Sequence, residues 1–598
     1  MNFIFSIPLK QKWKFRIKDG GKLPPNDSGK EAVLQIESSG HIQNRIVSVD
    51  EKTYCITGDF IIPEERRPDV DGYLKWFFGG FSTERLRETK GNFYLIIISE
   101  QEQLIRIIPG MMSLLPVYYS VSEDTLTVSS RADSIVKLKR GTFSVSKRYI
   151  LEHFLFGYGF LNNTLFREIK LLPVNSIIET KNGNWRISNH TRVGDLFDNR
   201  PVPWRKSVEH ITDLFIERSK DYFPDQRYFS SLTGGLDGRT ILAAGLARGK
   251  QITAYSYGSV SDKDVYIPRK ICSDINLPYR AYILDQSYAE QSFLGDAREA
   301  NRITEGNLRF SRATYLLLAR EISRESAFML SGNFGSELFR TPRMAGNMIS
   351  SLVFAMFKTD SDLEFANLIR QAPALKYLDI GLFKHELEEL SVDCLTYRNN
   401  LRKTTTRIQG FYVYMFEEVF RKYFGPELIL ENAYITNRTP FIDFKFISEV
   451  LTSELAGCNS DFMTNNPFSR YKGQVVYPYI IKKTYPRLLN YKLDREYSPG
   501  DFLSLTGKAR IARGFLMRKL LAGQNRYKQP GYNKLAMSTN INRIDASAYD
   551  FGFINRKHFD QLFQNEGWLN DYIGFNIMIS LFDYLKTITV GNTNVRLQ

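Results

Sequence analysis

The sequence of this 598-residue chain is organised around the stretch Ser231-Leu232-Thr233-Gly234-Gly235-Leu236-Asp237-Gly238-Arg239. The apolar pair Tyr228-Phe229 before it predicts a strand, and the apolar-rich residues 240–248 after it predict a helix. A glycine turn between a strand and a helix directs backbone N–H groups and the positive end of the helix dipole at one point, which suits a phosphate group. The G-x-x-x-x-G-K-[ST] pattern of a Walker loop is missing, and the turn alone also fits an ordinary strand–helix connection.

Two features of the turn favour a phosphate ligand. The adjacent glycines at 234 and 235 let the backbone approach an anion closely. Asp237 lies at the mouth of the turn, where its carboxylate is placed to hold a magnesium ion that bridges phosphates.

The residues after this turn alternate between predicted strands and predicted helices. We predict strands at 251–258 and 278–284, with a helix beginning at Asp264 between them. This alternation is typical of a doubly wound sheet of parallel strands covered by helices. Ligands of such sheets bind beyond the carboxyl ends of the strands, which is where the glycine turn lies.

Residues 1 to about 195 have a different, β-rich pattern. We predict strands at 91–99, 103–108 and 126–130, and a hairpin around residues 181–184. A helix is predicted at 147–156, with Ser146 as its N-cap. The change of pattern near residue 200 predicts a domain boundary there.

The composition limits the class of protein. No run of about 18 apolar residues occurs, so no transmembrane helix is expected, and the first residues do not have the pattern of a signal peptide. Four widely spaced cysteines without metal-ligand spacing favour a reduced, cytoplasmic protein. The net charge of +15 permits nucleic-acid binding, but the basic residues are dispersed, so we expect a solvated basic surface and no nucleic-acid partner.

The order of several segments resembles that of the asparagine synthetase family. G-N-F at 91–93, P-V-Y-Y at 116–119, S-S-R-A-D at 129–133 and T-L-F-R-E-I-K-L-L-P at 164–173 are similar to its N-terminal glutaminase-type domain. G-G-L-D at 234–237 is similar to its pyrophosphate loop. The resemblance covers roughly residues 1 to 500.

This resemblance implies three parts. Residues 1–195 would form an α+β sandwich of the N-terminal-nucleophile (Ntn) hydrolase type. Residues 205–500 would form an α/β, doubly wound, parallel-sheet synthetase domain of the adenine-nucleotide α-hydrolase type with a helical C-terminal part. Residues 501–598 lie outside the resemblance and are expected to form a helical extension, with amphipathic helices at 510–521 and 570–586.

The resemblance also implies binding of ATP and Mg²⁺. A second segment, S-G-N-F-G-S-E-L-F at 331–339, is similar to the family's S-G-E-G-x-D-E-L-F segment. Here Ser336 replaces a magnesium-binding aspartate, so Asp237 and Glu337 are the expected metal ligands. The expected ATP-binding residues are Leu232, Thr233, Gly234, Gly235, Leu236, Asp237, Gly238, Tyr257, Ser331 and Gly332.

Two catalytic roles are carried over from the family. Asn333 stands where the family has a glutamate, and an amide can hydrogen-bond a substrate but cannot act as a base. Lys472 is our candidate for the lysine that stabilises charge on the activated intermediate, although it also fits one of many solvated basic residues. Arg438 and Asp443, in a segment similar to the family's R-x-P-F-L-D, are expected to brace the helical layer.

One difference from the family's pattern concerns the source of the nitrogen atom. The family's glutaminases use an N-terminal cysteine that is exposed when Met1 is removed, whereas the second residue here is Asn2. An amide cannot attack as a thiolate does, so we expect no glutamine hydrolysis. The N-terminal domain resembles the inactive one of β-lactam synthetase and lasso-peptide macrolactam synthetase. Cys55, the nearest cysteine, is expected to be a core residue.

The function implied is that of an ATP-dependent, AMP-forming amide ligase. A small-molecule or peptide carboxylate would attack the α-phosphate of ATP to give an acyl-adenylate and pyrophosphate, and ammonia or an amine would then form the amide. Three alternatives stay open: an ammonia-using asparagine synthetase, a catalytically impaired nucleotide-binding or interaction protein of the same fold, and a nucleic-acid-modifying protein. An oligomer is possible.

Overall fold

The computed structural model describes residues 2–19, 31–37, 41, 44–139, 142–340, 350–459, 471–495, 497–521, 531–564, 566–591 and 595–597. It has a mixed α/β architecture with several sheets. Among these residues, no helix combines the length and the apolar character that a membrane span requires.

The N-terminal part contains two six-stranded sheets. Their spatial orders are β11-β8-β9-β1-β3-β2 and β13-β12-β7-β6-β5-β4, and all pairings except β2 with β3 are antiparallel. The strands are β1 (Asn2–Pro8), β2 (Lys14–Asp19), β3 (Glu31–Glu37), β4 (Asn44–Val49), β5 (Lys52–Gly58), β6 (Phe93–Ser99), β7 (Leu104–Pro109), β8 (Tyr118–Val121), β9 (Thr125–Ser129), β11 (Lys170–Leu171), β12 (Ser176–Lys181) and β13 (Asn184–Asn189).

Apolar content explains why these strands form a core. Every residue of β6 is buried, as expected for a strand covered on both faces, and its register places Ile96 opposite Ile107 of β7. The helices of this part are α1 (Val70–Gly79), α2 (Thr83–Glu88), α3 (Ala132–Leu138) and α4 (Lys147–Phe156). The bounds of α4 and the hairpin β12–β13 confirm the predictions, and Ser146 Oγ accepts a hydrogen bond from Tyr149 N as the predicted N-cap.

The next part is built on a five-stranded sheet in which every pair is parallel. Its order is β16-β15-β14-β17-β18. The strands are β14 (Tyr228–Ser231), β15 (Ile252–Gly258), β16 (Tyr279–Ile283), β17 (Phe328–Leu330) and β18 (Thr436–Arg438). The chain moves outward from β14 to β16 and then returns to the other side of β14. The sheet therefore has a topological switch point between β14 and β17, where the predicted turns meet.

Helices cover this sheet and extend beyond it. They are α5 (Trp204–Ser219), α6 (Asp237–Ala247), α7 (Lys263–Asp274), α8 (Gln286–Gln291), α9 (Phe293–Ile303), α10 (Thr314–Ser323), α11 (Gly335–Phe339), α12 (Ser351–Lys358), α13 (Asp362–Arg370), α14 (Lys384–Arg402), α15 (Arg407–Tyr414), α16 (Gly425–Glu431), α17 (Phe444–Leu451) and α18 (Val476–Thr484). A π-helix, Met415–Phe424, continues α15. The helical C-terminal part expected within residues 205–500 is thus present.

The C-terminal part is not a separate tail. It contains α19 (Leu505–Leu521), α20 (Gly531–Asn540), α21 (Arg556–Asp560) and α22 (Tyr572–Gly591). Its last strand, β19 (Val595–Leu597), pairs in parallel with β10 (Phe143–Val145) of the N-terminal part. Both predicted helices are present, and this region returns to contact the first domain.

Two ion pairs, one buried and one largely buried, join the N-terminal part to the parallel-sheet part. Lys90 pairs with Asp221, and both side chains are less than a tenth exposed. Arg438, at the end of β18, contacts both carboxylate oxygens of Asp59 at 2.8 and 2.9 Å. Arg438 therefore braces the two sheets, whereas Asp443 caps α17 by accepting a hydrogen bond from Phe446 N and pairs with Arg218. Asp443 thus braces the helical layer as predicted, whereas Arg438 braces the N-terminal part instead.

Candidate functional site

A cavity of about 260 Å³ lies at the switch point of the parallel sheet. It is bounded by the turn after β14, the start of α7, the helix α11, the start of α18 and the segment 493–495. Its lining residues are Thr233, Gly235, Leu236, Asp237, Asp264, Ser336, Phe339, Arg340, Gly473, Gln474, Tyr477, Leu493, Asp494 and Arg495.

The N-terminus of α6 faces this cavity without a polar cap. The N-cap residue is Leu236, whose side chain has no acceptor for the first backbone N–H groups. A Cβ atom on Gly238 would collide with the carbonyl oxygen of Ser231, so only glycine allows this tight entry into the helix. The end of the helix therefore presents donors and a positive dipole to the cavity.

The two predicted glycine turns touch each other. A Cβ atom on Gly332 would lie 2.7 Å from both the carbonyl carbon and the Cβ of Asp237, and a Cβ on Gly335 would lie 3.1 Å from Asp237 Oδ1. Between them Phe334 has φ 68°, in the left-handed region, and its buried ring packs on Phe420 and Phe424. The turn after β17 is thus held tightly against the first residues of α6.

Four hydrogen bonds fix the turn at 231–238 from the other side. Gly234 N donates to Asp264 Oδ1 at 2.9 Å, and Asp494 N donates to the Gly234 carbonyl oxygen at 3.1 Å. The fully buried Arg239 donates to the carbonyl oxygens of Tyr491 and Lys492, at 2.6 and 3.2 Å. Arg239 therefore holds the segment that carries Asp494 and Arg495 against the turn.

The cavity contains charges of both signs. Burial raises the pKa of Asp237 to about 6, with Glu337 adding to the rise and Arg340 and Arg495 opposing it. Burial also raises the pKa of Asp264, against the hydrogen bond from Gly234. Three aspartates and two arginines face one space, which suits a polyanion that arrives with a divalent cation better than a bare anion.

Oxygen donors in the cavity suit magnesium only in part. The described residues contain no group of three or more His, Cys, Asp or Glu side chains arranged to hold a metal ion. Magnesium commonly uses one or two carboxylates together with phosphates and water, so Asp237 with Asp264 or Asp494 would suffice. Glu337 is outside the cavity lining, and its carboxylate contacts Ser336 Oγ at 3.2 Å and Arg340 at 3.5 Å.

The other predicted site residues surround the cavity without lining it. Ser331 Oγ is buried and lacks a hydrogen-bond partner in the part of the chain that the structure describes, while Asn333 is half-buried in the turn. Lys472 Nζ is 3.0 Å from Glu454 Oε2, although the next two residues, 473 and 474, line the cavity. Leu232 is fully buried, and its N–H donates to the Tyr255 carbonyl oxygen.

Tyr257 lies near the carboxyl end of β15 and is not among the residues that line the cavity. Its ring contacts the rings of Tyr315 and Tyr532 rather than the turn at 232–238. Sequence reasoning missed four residues that line the cavity, Asp264, Arg340, Asp494 and Arg495. Only Arg340 carried a local signal, because it directly follows the recognised segment 331–339.

The N-terminal part carries no described thiol suited to amide hydrolysis. Asn2 begins β1, and its amide donates to Glu37 Oε2 at 2.9 Å. Cys55 is buried in β5, and burial raises the pKa of its thiol to about 12, so it is not a thiolate near neutral pH. The prediction that Cys55 is a core residue is confirmed.

Comparison with known proteins adds little to this geometry. No protein-family model and no curated protein matches the chain. It is similar, at 8% identity and a TM-score of 0.17, to glutamine phosphoribosylpyrophosphate amidotransferase from B. subtilis complexed with ADP and GMP, with 40% of this chain and 48% of that chain covered. A structure described as the allosteric regulatory enzyme of purine biosynthesis gives 8% identity, a TM-score of 0.18 and coverages of 40% and 62%. The chain thus spans about half to three fifths of the length of these two structures.

Proposed function

We propose that the chain is an ATP-dependent ligase of the asparagine synthetase type that forms an amide bond without glutaminase activity. One observation carries this proposal: the uncapped N-terminus of α6 and the turn at 331–335 meet at the switch point of a parallel sheet, around a cavity lined by carboxylates and guanidinium groups. This is the place and the chemistry that a nucleotide with its metal requires.

The positive and negative groups of the cavity have different proposed roles. The first N–H groups of α6 and the guanidinium groups of Arg340 and Arg495 would neutralise the phosphates. Asp237, with Asp264 or Asp494, would hold a magnesium ion, which supplies charge neutralisation between the phosphates. These groups are fixed before substrate arrives, so their positions require little reorganisation during the reaction.

The proposed reaction proceeds in two steps. A carboxylate oxygen of the substrate bonds to the α-phosphorus as the bond to pyrophosphate breaks, and the product is an acyl-adenylate. The nitrogen of ammonia or of an amine then bonds to the acyl carbon, AMP leaves, and the nitrogen loses a proton. Asn333 is not suited to accept that proton, because an amide is not a base.

Lys472 requires a local rearrangement for its proposed catalytic role. Its ammonium group is paired with Glu454, and the side chain is only 35% exposed. Because residues 473 and 474 line the cavity, we propose that the Lys472 side chain leaves Glu454 and turns toward the substrate. The charge would then stabilise the tetrahedral centre.

A catalytically impaired nucleotide-binding protein is the second candidate, and a specific contact favours it. Asp264 accepts the hydrogen bond of Gly234 N, a donor that would otherwise be directed at a phosphate. Together with Asn333 and Ser336, this contact describes a site that retains its shape but has lost part of its chemistry. Both candidate functions include nucleotide binding, but only the ligase converts the nucleotide to products.

Calorimetry with ATP, with and without Mg²⁺, tests the nucleotide site without knowledge of the substrate. Wild-type protein should bind ATP in a magnesium-dependent manner, and Asp237→Asn should weaken that binding. Asp550→Asn, which changes an exposed aspartate in the C-terminal part, should have no effect. Absence of ATP binding in the wild type would refute both candidates.

A screen of carboxylic acids and amines for AMP release then separates the two candidates. AMP release that requires both an acid and an amine supports the ligase. ATP binding without AMP release across the screen supports the impaired protein.

A further inference from the structure

Tyr532 belongs to the C-terminal part of the chain, yet it reaches the sheet edge that carries the cavity. It is the second residue of α20, which packs on α8 just after β16. Asn540, at the end of α20, is fully buried and donates to the carbonyl oxygen of Ala289 at 2.6 Å, and Arg543 donates to that of Glu290 at 2.8 Å. These contacts anchor the helix and hold its first turn near the carboxyl ends of the strands.

The ring of Tyr532 completes an aromatic cluster at the end of β15. Its centroid lies 6.3 Å from that of Tyr257, with the planes at 74°, and the centroid of Tyr315 lies 6.2 Å from Tyr257 on another side. All three tyrosines remain partly exposed as residues. The cluster is therefore not closed off completely from solvent at this position of the sheet edge.

The cluster stands one strand away from the phosphate end of the site. Burial raises the pKa of the Tyr532 hydroxyl, and the neighbouring Tyr315 and the carboxylates of Asp264 and Asp262 add to the rise. Strand β15 pairs in parallel with β14, with Tyr255 opposite Ser231, so the aromatic cluster stands at the carboxyl end of the strand next to the one that leads into the turn at 231–238. A ligand that extends from the N-terminus of α6 across the end of β15 is therefore directed toward this cluster.

We infer that Tyr532 forms part of the nucleobase wall of the nucleotide site, so that the C-terminal part of the chain supplies a specificity-determining residue. The inference rests on the proposed function, because it takes the phosphates to lie at α6. The planar base of the nucleotide then reaches the faces of Tyr257 and Tyr532. A polyphosphate without a base has nothing to place there.

A comparison of two ligands, one with a base and one without, separates base stacking on Tyr532 from a purely structural role of this residue. ATP and inorganic tripolyphosphate are titrated by calorimetry, with Mg²⁺, into the full-length wild-type protein and its variants. Loss of base stacking in Tyr532→Ala should lower the affinity for ATP roughly 5- to 150-fold. Its affinity for tripolyphosphate should not change. Tyr532→Phe keeps the ring and should bind ATP as the wild type does. Tyr266→Ala removes a tyrosine that is 60% exposed on α7 and serves as the matched control.

Each other result overturns the inference. An equal loss of affinity for both ligands in Tyr532→Ala would show that Tyr532 only stabilises the fold. Unchanged or tighter ATP binding would show that its ring does not contact the base. If Tyr532→Ala lowers the melting temperature, Tyr532→Leu retains apolar bulk without the ring and repeats the comparison. A wild type that binds neither ligand would refute the proposed function itself, whereas a wild type that binds both with Tyr532→Ala unaffected would refute only the inference.

Discussion

Replacement of Asp237 by Asn should make the protein more stable and should weaken its nucleotide site. The carboxyl of Asp237 has its pKa raised by burial from the usual 3.8 to about 6. A group whose folded-state pKa lies above its unfolded value favours the folded state at low pH, and that contribution is lost as pH rises through the folded-state pKa. The ionised carboxylate of the wild type is therefore a cost at neutral pH, and Asn has no such cost.

The size of the effect follows from the two pKa values. Each pH unit between the unfolded-state and folded-state pKa values corresponds to about 1.36 kcal/mol. Relative to a neutral side chain, ionisation of Asp237 therefore lowers the free energy of unfolding by about 1.5 kcal/mol at pH 5 and about 3 kcal/mol at pH 7.5. Urea unfolding of Asp237→Asn should therefore show a gain in the free energy of unfolding that increases between these pH values. Asp550→Asn, at an exposed position, should show no such increase. A gain that does not change with pH, or a loss at pH 7.5, would refute the assignment of Asp237 as a buried, unfavourably ionised carboxylate.

Three further predictions address the domain contact, the turn and the nitrogen source. Lys90→Met should lower the free energy of unfolding in urea by about 3–5 kcal/mol, because it leaves Asp221 buried without its cation, and a change near zero would contradict this. Arg239→Met removes charge-assisted hydrogen bonds to residues 491 and 492 and should weaken ATP binding in calorimetry by at least about tenfold; unchanged affinity would show that this segment is not held by Arg239. Incubation with glutamine should release no glutamate above a protein-free blank, because Asn2 offers no nucleophile, and measurable release would contradict the inactive assignment.

Local sequence signals were sufficient where a short segment determines its own structure. The bounds of α4 and its Ser146 cap follow from a capping residue before an apolar-periodic run, and the hairpin β12–β13 follows from Asn182-Gly183. The parallel sheet follows from alternating strands and helices, although its order could not be read from spacing alone. The π-helix at 415–424 was not predicted, because its i→i+5 pattern differs from an α-helix in hydrogen bonding and not in apolar content.

The site was predicted only as far as its residues are close in sequence. The turn at 231–238 and the segment at 331–335 were expected to share a ligand, and their glycines do lie in contact. Asp494 and Arg495 could not be found in this way, because their role depends on Arg239 holding a segment some 250 residues further along the chain. Tyr532 is a similar case, since only the packing of α20 on α8 brings it to β15.

The cost of the Asp237 carboxylate bears on whether the cavity still binds a ligand, which both candidate functions require. A site that only preserves a fold gains nothing from a buried carboxylate whose pKa is raised to about 6, and Asn would fit the same turn at lower cost. Asp264 carries a second buried carboxylate on the same cavity, with its pKa also raised. Two unfavourable negative charges beside two guanidinium groups are an arrangement that a bound cation and a polyanion would stabilise. Under the proposed function, carboxylates from other elements would offset the aspartate that Ser336 replaces, which favours a cavity that binds a nucleotide with its metal.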